Sequence, residues 1–194
     1  MIGRIARSNT PTAPGAAMGP RPAHLAVAAP WRAYATPWVS IALGSWLMSV
    51  VMIANQPIVP PLGFLMLLGW RQLHPGLLPV WSGALLGLVD DLFSGQPLGS
   101  GVALWSVAML ALDVVEMRFP WRNFLMEWLM AGVMIALYLL AAGLAALPAG
   151  AVPHGPALVA MAPQVGLAVL VYPVVGRLVA WLDGWRLGRR GTQR

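Results

Sequence analysis

The stretch IVPPLGFLMLLGWRQL, residues 58–73, governs how this chain is to be read. It is apolar as far as Trp70 and then turns polar at Arg71 and Gln72. As one helix it would reach about 24 Å at 1.5 Å per residue, short of the roughly 30 Å of a bilayer's hydrocarbon core. It crosses only if it stands upright and Arg71 snorkels to the surface. Pro60 and Pro61 would then fall in its first turn, where a missing N–H costs little.

The flanks are long enough to span without strain. Apolar runs cover residues 38–54, 77–93, 98–117, 124–147 and 157–182. Hydrophobic residues make up 59% of the 194-residue chain and charged residues 9%. A soluble domain averages about 45–50% apolar and about 25% charged, so this chain lacks the charge to cover a water-facing surface. Without cysteine it is no disulfide-stapled secreted domain, and the apolar bulk excludes disorder for the body of the chain. An integral membrane protein remains.

The arginines settle whether residues 58–73 cross. All 12 basic residues are Arg. With six crossings and the N-terminus inside, the tail carries Arg4, Arg7, Arg21 and Arg32, and the first inner loop carries Arg71. The second inner loop carries Arg118 and Arg122, and the C-terminal end carries Arg177, Arg186, Arg189, Arg190 and Arg194. Every arginine is then cytoplasmic. Five crossings would put Arg71, Arg118, Arg122 and the C-terminal group outside. The positive-inside rule therefore predicts an all-α polytopic protein with six transmembrane helices and both termini cytoplasmic. Because the arginines flank apolar runs, the net charge of +6 does not point to nucleic acid.

Three segments follow from this. Residues 1–36, rich in Pro, Ala and Arg, read as a flexible cytoplasmic tail. They hold no apolar run of the roughly 7–15 residues that a signal peptide needs. Residues 37–185 form the six-helix transmembrane domain, and residues 186–194 a basic cytoplasmic tail. Pro163 and Pro173 fall inside the sixth helix, where neighbours must satisfy the freed carbonyls. Trp38, Trp70, Trp105, Trp121, Trp128, Trp181 and Trp185 mostly lie near the expected interfaces, as an aromatic belt would. Arg186, Arg189, Arg190 and Arg194 are placed to meet anionic lipid of the inner leaflet.

The densest polar motif closes the third run: GALLGLVDDLFSGQPLGSGVAL, residues 83–104. Gly83 and Gly87 share a helix face, so another helix backbone can come close. Gly95 and Gly99 fit a tight outer turn, and all four glycines are candidates for helix packing or a partner interface. Asp90 and Asp91 form an acidic site at the same turn. The macrodipole of their helix disfavours them there by about 0.3–1 kcal/mol each. Water, Ser94 and Gln96, the N–H groups near Gly99–Gly101, or a cation from another chain could hold them. A solvated helix end, a clamp on the turn and proton or ion coupling all stay open. A second polar cluster, Asp113, Glu116, Arg118, Arg122 and Glu127, lies at the cytoplasmic ends of the fourth and fifth helices. It reads as an ion-pair network or as a docking patch for a cytoplasmic partner. Asp183 and Arg186 read as an exposed pair worth little.

Chemistry finds little to stand on. His24, His74 and His154 are scattered and none lies at membrane depth, so no metal site is expected. There is no HExxH and no GxSxG. Asp90 and Asp91 are adjacent on one helix, about 100° apart, and cannot face each other as an aspartyl dyad. No catalytic residue and no cofactor are assigned.

The six short spans, the small outer turns and the run at residues 83–104 resemble the MreD family of bacterial rod shape-determining proteins. The resemblance covers about residues 38–185, and residues 83–104 are its sharp motif. The family's glycines, acidic residue and P-L-G turn fall on Gly83, Gly87, Asp90 or Asp91, Gly95, Pro97, Leu98 and Gly99. The doubled aspartate leaves the match of the acidic residue open. The resemblance implies an inner-membrane component of the elongation complex. Its implied partners are the bitopic protein MreC and, through it, MreB and the peptidoglycan polymerase and transpeptidase. The implied role is scaffolding and regulation of lateral wall growth, without catalysis or cofactor. Membrane lipids are expected around it, no nucleic acid, and a homo-oligomer stays open. The alternative is the substrate-binding membrane subunit of a vitamin-type transporter. That would call for a polar cavity at mid-depth, where the chain offers little beyond Ser45, Ser82, Ser106 and Gln164.

Reporter fusions at Asn55, Gln96 and His154 are expected to read periplasmic, and fusions at His74, Arg122 and the C-terminus cytoplasmic. A cytoplasmic signal at Gln96 would mean that residues 58–73 do not cross.

Overall fold

The structure, a computed structural model, describes residues 30–52, 59–94, 97–118, 123–145, 147 and 155–187. Among these the secondary structure is helical, in six segments: α1 Pro30–Met52, α2 Leu62–Leu73, α3 Ser82–Ser94, α4 Ser100–Arg118, α5 Phe124–Ala145 and α6 Gly155–Arg186. Three stretches are long and apolar enough to cross a membrane: Ser100–Arg118, Phe124–Ala145 and Met161–Arg186.

The helices α1, α3, α4, α5 and α6 succeed one another round a ring, and α2 lies inside it, packed on α1, α6 and α5. Nine consecutive residues of α2, Gly63 to Arg71, are buried. This is why residues 58–73 have no polar face: a helix surrounded by helices must be apolar all round. The other five bury a stripe and turn large apolar side chains outward, among them Leu43, Leu110, Leu137 and Leu170.

Two of the expected spans are shorter than the sequence suggested. The helix expected from residue 58 starts only at Leu62, and Pro61 is its N-cap with φ −71° and ψ 82°. The cause is the Pro60–Pro61 pair. A residue before proline is pushed out of the helical region, so Val59 and Pro60 must both be extended. At 12 residues α2 is about 18 Å long. The non-helical residues 59–61 lead into it, and the carbonyl of Val59 accepts a hydrogen bond from Gln164 Nε2 at 3.0 Å. The third run, expected from residue 77, becomes helical only at Ser82. Pro79 breaks it, and the chain enters α3 through tight turns in which Ser82, Gly83 and Ala84 donate to Pro79, Val80 and Trp81. At the other extreme α1 starts at Pro30, within the stretch assigned to the tail, with proline at a position that suits it. Residues 1–29 lie outside the described residues.

Pro163 and Pro173 lie inside α6, as the sequence implied. A proline at position 173 removes the N–H that would bond the carbonyl of Val169. The indole N–H of Trp128, on α5, donates to that carbonyl at 3.2 Å. Two other tryptophans expected in an interfacial belt are core residues instead. Trp70 and Trp105 are fully buried, and Trp70 Nε1 donates to Ser40 Oγ on α1 at 2.8 Å. Burial suits an indole whose single donor has a partner, as that of Trp70 has.

The Trp128 bond yields a double-mutant test. Replacing Trp128 with Phe should destabilise the protein by about 1 kcal/mol beyond lost packing, because the Val169 carbonyl loses its donor. In a Pro173→Ala background residue 173 regains an N–H for that carbonyl, and the same substitution should cost measurably less. Unfolding in detergent micelles would read both; an equal cost in the two backgrounds would refute the compensation.

Candidate functional site: polar clasps at both ends of the bundle

The turn between α3 and α4 is built around Asp91. Its Oδ2 accepts the N–H of Gly99 at 2.8 Å and of Val102 at 3.3 Å. Its Oδ1 accepts the N–H of Gly101 at 2.7 Å and the Ser100 hydroxyl at 3.4 Å. These donors open α4 and have no partner within that helix. The carboxylate therefore caps α4 from the end of α3. The positive end of the α4 dipole offsets the unfavourable end of its own helix.

Glycines make this approach possible. A Cβ on Gly87 would collide with the carbonyl oxygen of Gly101, and one on Gly83 would lie 2.8 Å from that of Trp105. A Cβ on Gly101 would come within 2.6 Å of Asp91 Oδ1. Gly99 has φ +97°, a left-handed conformation that glycine adopts freely. The face of Gly83 and Gly87 is thus occupied by α4 of the same chain, and Gly99 serves the turn. Gly95 lies outside the described residues.

Asp90 points elsewhere, since adjacent helical residues lie about 100° apart. Its Oδ2 accepts the hydroxyl of Tyr138, on α5, at 3.3 Å, and the Ser45 hydroxyl of α1 faces the same carboxylate. The Tyr138 ring stacks on Phe64 of α2 at 4.2 Å, and Phe64 meets Trp105 of α4 edge-on at 5.8 Å. Four helices besides its own thus converge around Asp90. The doubled aspartate has two separate tasks: Asp91 closes the α3–α4 turn, and Asp90 ties α3 across the bundle.

The opposite end holds the ionic groups. Arg71, expected to snorkel, is 2% exposed. Its Nη1 donates to the Leu78 carbonyl at 2.9 Å, and its Nη2 to Asp113 Oδ1 and Glu116 Oε2, both at 2.9 Å. Asp113 and Glu116 are three apart on α4 and present both carboxylates to one guanidinium. The cytoplasmic cluster is therefore completed by a residue of α2. Arg118 is exposed at the end of α4, Glu127 lies in the first turn of α5, and Arg122 lies outside the described residues.

Asp183 and Arg186, expected as an exposed pair, are buried at 6% and 5% exposure. Asp183 Oδ1 lies 2.6 Å from Arg186 Nη2 and 2.9 Å from His74 Nε2. The guanidinium of Arg186 lies 5.4 Å from the Trp70 ring centre, a cation–π contact. The continuation of α6 through Arg186 causes this, by carrying the pair under the loop after α2. Of the four arginines assigned to anionic lipid, Arg186 is thus turned inward, and Arg189, Arg190 and Arg194 lie outside the described residues.

Sequence reasoning passed over Gly44 and Gly63, which with Ser45 bring α1 and α2 together. A Cβ on Gly44 would lie 3.0 Å from the Gly63 nitrogen, and one on Gly63 would strike Ser45 Oγ. Their signal was weak, since each helix contributes a single glycine at the crossing. Arg71 could have been paired from sequence: two acids on one face of α4, on its own side of the membrane, leave a cation to be found. Among the described residues no three His, Cys, Asp or Glu side chains gather as metal ligands.

Removing the Asp91 carboxylate should destabilise the α3–α4 pair. Asp91→Ala leaves buried donors unpaired at about 1–3 kcal/mol, and Gly87→Leu overpacks the crossing at a similar cost. Asp91→Asn keeps one accepting oxygen and should lose roughly half as much as Ala. Unfolding of the purified variants would rank them; Ala and Asn costing the same would show that the two oxygens do not act as drawn.

The chain matches no curated protein and no solved structure. Residues 34–175, from α1 into α6, match the family described as rod shape-determining protein MreD. The match takes in Asp90 and Asp91, the glycine crossing and the Arg71 cluster, and covers well over half of the sequence. The chain is a member of the MreD family of rod shape-determining membrane proteins.

Proposed function

We propose that this protein is an inner-membrane scaffold and regulator of the cell-elongation complex, organising lateral peptidoglycan synthesis without catalysis of its own. The observation that carries the reading is the family match over α1 to α6, since that family serves rod shape determination and is associated with the MreB–MreC–MreD complex. The bitopic MreC is the direct partner in this reading, and MreB and the peptidoglycan polymerase and transpeptidase are reached through it.

The chain crosses the membrane six times, with both termini in the cytoplasm. Several features support this topology. The start of α1 and the end of α6 lie at one end of the bundle, where Trp31 and Trp185 line the same crevice. Arg71 and Arg186 are held at that end too, as positive-inside orientation asks. The residues before α2 extend its reach, and their exposed carbonyl is satisfied by Gln164. Irregular backbone at membrane depth is tolerated where protein covers it.

Asp90, Asp91, Arg71, Asp113, Glu116, Asp183 and Arg186 find partners inside the chain, while the outer faces are largely apolar. A partner's transmembrane helix would dock on such faces by close packing, because lipid offers no hydrophobic drive between helices. The bundle then acts as a rigid body against which a partner is held.

Complementation in a depletion strain tests the proposal. The wild-type copy should restore rods and co-purify MreC. Gly87→Leu and Asp91→Ala should lose both, in step with their loss of folded protein. Rod shape that persists when the protein is depleted would overturn the assignment.

A further inference from the structure

A cleft of about 440 Å³ opens between α2, α5 and α6 near the end where α2 finishes. Gly176 leaves it open on the α6 side. Gly69 and Gly176 both line it, and a Cβ on Gly176 would meet nothing within 4 Å. Its back wall is set by Gln72, whose Nε2 donates to the Glu127 carbonyl at 3.0 Å and whose Oε1 accepts the Tyr172 hydroxyl at 2.7 Å. With both ends of its amide engaged, Gln72 holds α5 and α6 apart at a fixed distance.

Two opposite charges line this cleft, Glu127 from α5 and Arg177 from α6. Neither forms an ion pair with the other or with a third residue among those described. Arg177 stands nine residues before Arg186, about 14 Å up the helix from its last residue. In a membrane-spanning α6, an exposed guanidinium at that depth needs an anion beside it. The carboxylate across the cleft calls equally for a cation. One ligand that carries both, at lipid headgroup depth, is a phospholipid with a primary ammonium.

We propose that this cleft binds the headgroup of an aminophospholipid, its phosphate on Arg177 and its ammonium on Glu127. Arg binds phosphate through two parallel N–H donors, and the carboxylate accepts from the ammonium. Phe124 and Trp128, also in the lining, provide apolar surface for the glycerol and first methylenes. The site rests on the membrane-spanning reading and not on the role in cell shape, so its failure would leave that role standing.

Native mass spectrometry of the full-length protein in detergent, titrated with dioleoyl phosphatidylethanolamine, phosphatidylglycerol or phosphatidylcholine, tests it. Phosphatidylethanolamine should bind about tenfold more tightly than the other two, as loss of one charge-assisted hydrogen bond implies. Phosphatidylglycerol lacks the ammonium, and choline has no N–H to donate. Glu127→Gln should erase the preference over phosphatidylcholine, and Arg177→Gln should weaken binding of all three lipids. Gly176→Leu places a side chain on the wall of the cleft, where its Cβ would meet nothing within 4 Å, and should block binding. Equal binding of phosphatidylglycerol and phosphatidylethanolamine by the wild type would overturn the proposal, whatever the variants do. So would a preference that survives Glu127→Gln.

Discussion

Inside a bilayer no water is available to complete a broken hydrogen-bond ladder, and the bundle is organised around that constraint. At three places where the helical backbone begins or is broken, a side chain from another element makes the missing bond. Gln164 of α6 donates to the Val59 carbonyl before α2. Trp128 of α5 donates to the Val169 carbonyl that Pro173 leaves open. Asp91 of α3 accepts the N–H groups that open α4. Each repair joins two helices, so what begins as local backbone chemistry becomes tertiary structure.

Close packing depends on the same economy of atoms. At Gly44 and Gly63, and again at Gly83, Gly87 and Gly101, two backbones approach to a distance that one methyl group would prevent. Dispersion forces act only over such contact, and in lipid they replace the hydrophobic drive. The α3–α4 crossing and the Asp91 cap reinforce each other, because the glycines bring the helices near enough for the carboxylate to reach Gly99 and Gly101. Losing either one loosens the other.

The charged groups of the opposite end obey a stricter condition. Arg71 and Arg186 are almost wholly buried and would be costly there alone. Two carboxylates from α4 meet Arg71, and Asp183 and the Trp70 ring meet Arg186. Such networks add little stability over an apolar core, but one missing member leaves a charge unpaired, and that penalises any mispacked arrangement. A bundle tied in this way at both ends keeps its outer faces in a constant relation to one another.

Much of this was readable from sequence, for identifiable reasons. Composition alone called for a membrane protein, because a chain with 9% charged residues cannot dress a water-facing surface. The locations of six helices followed from apolar runs separated by Pro, Gly and charged residues, and the crossing at Gly83 and Gly87 from their four-residue spacing. The starts of α2 and α3 were misplaced for a local reason, the prolines before them, whereas the misread polar and aromatic residues involve a partner distant in sequence. Arg71 read as a snorkelling residue because Asp113 and Glu116 lie more than forty positions away. Trp70 and Trp105 read as interfacial because a tryptophan's burial depends on what surrounds its helix. The two aspartates read as one site because only the azimuth of α3 against its neighbours separates a turn cap from a tie to Tyr138. Periodicity and composition report what a segment can do on its own in a membrane. Which neighbour completes each polar group, and so which of them bears structure or faces a ligand, was decided by the ring of helices around α2.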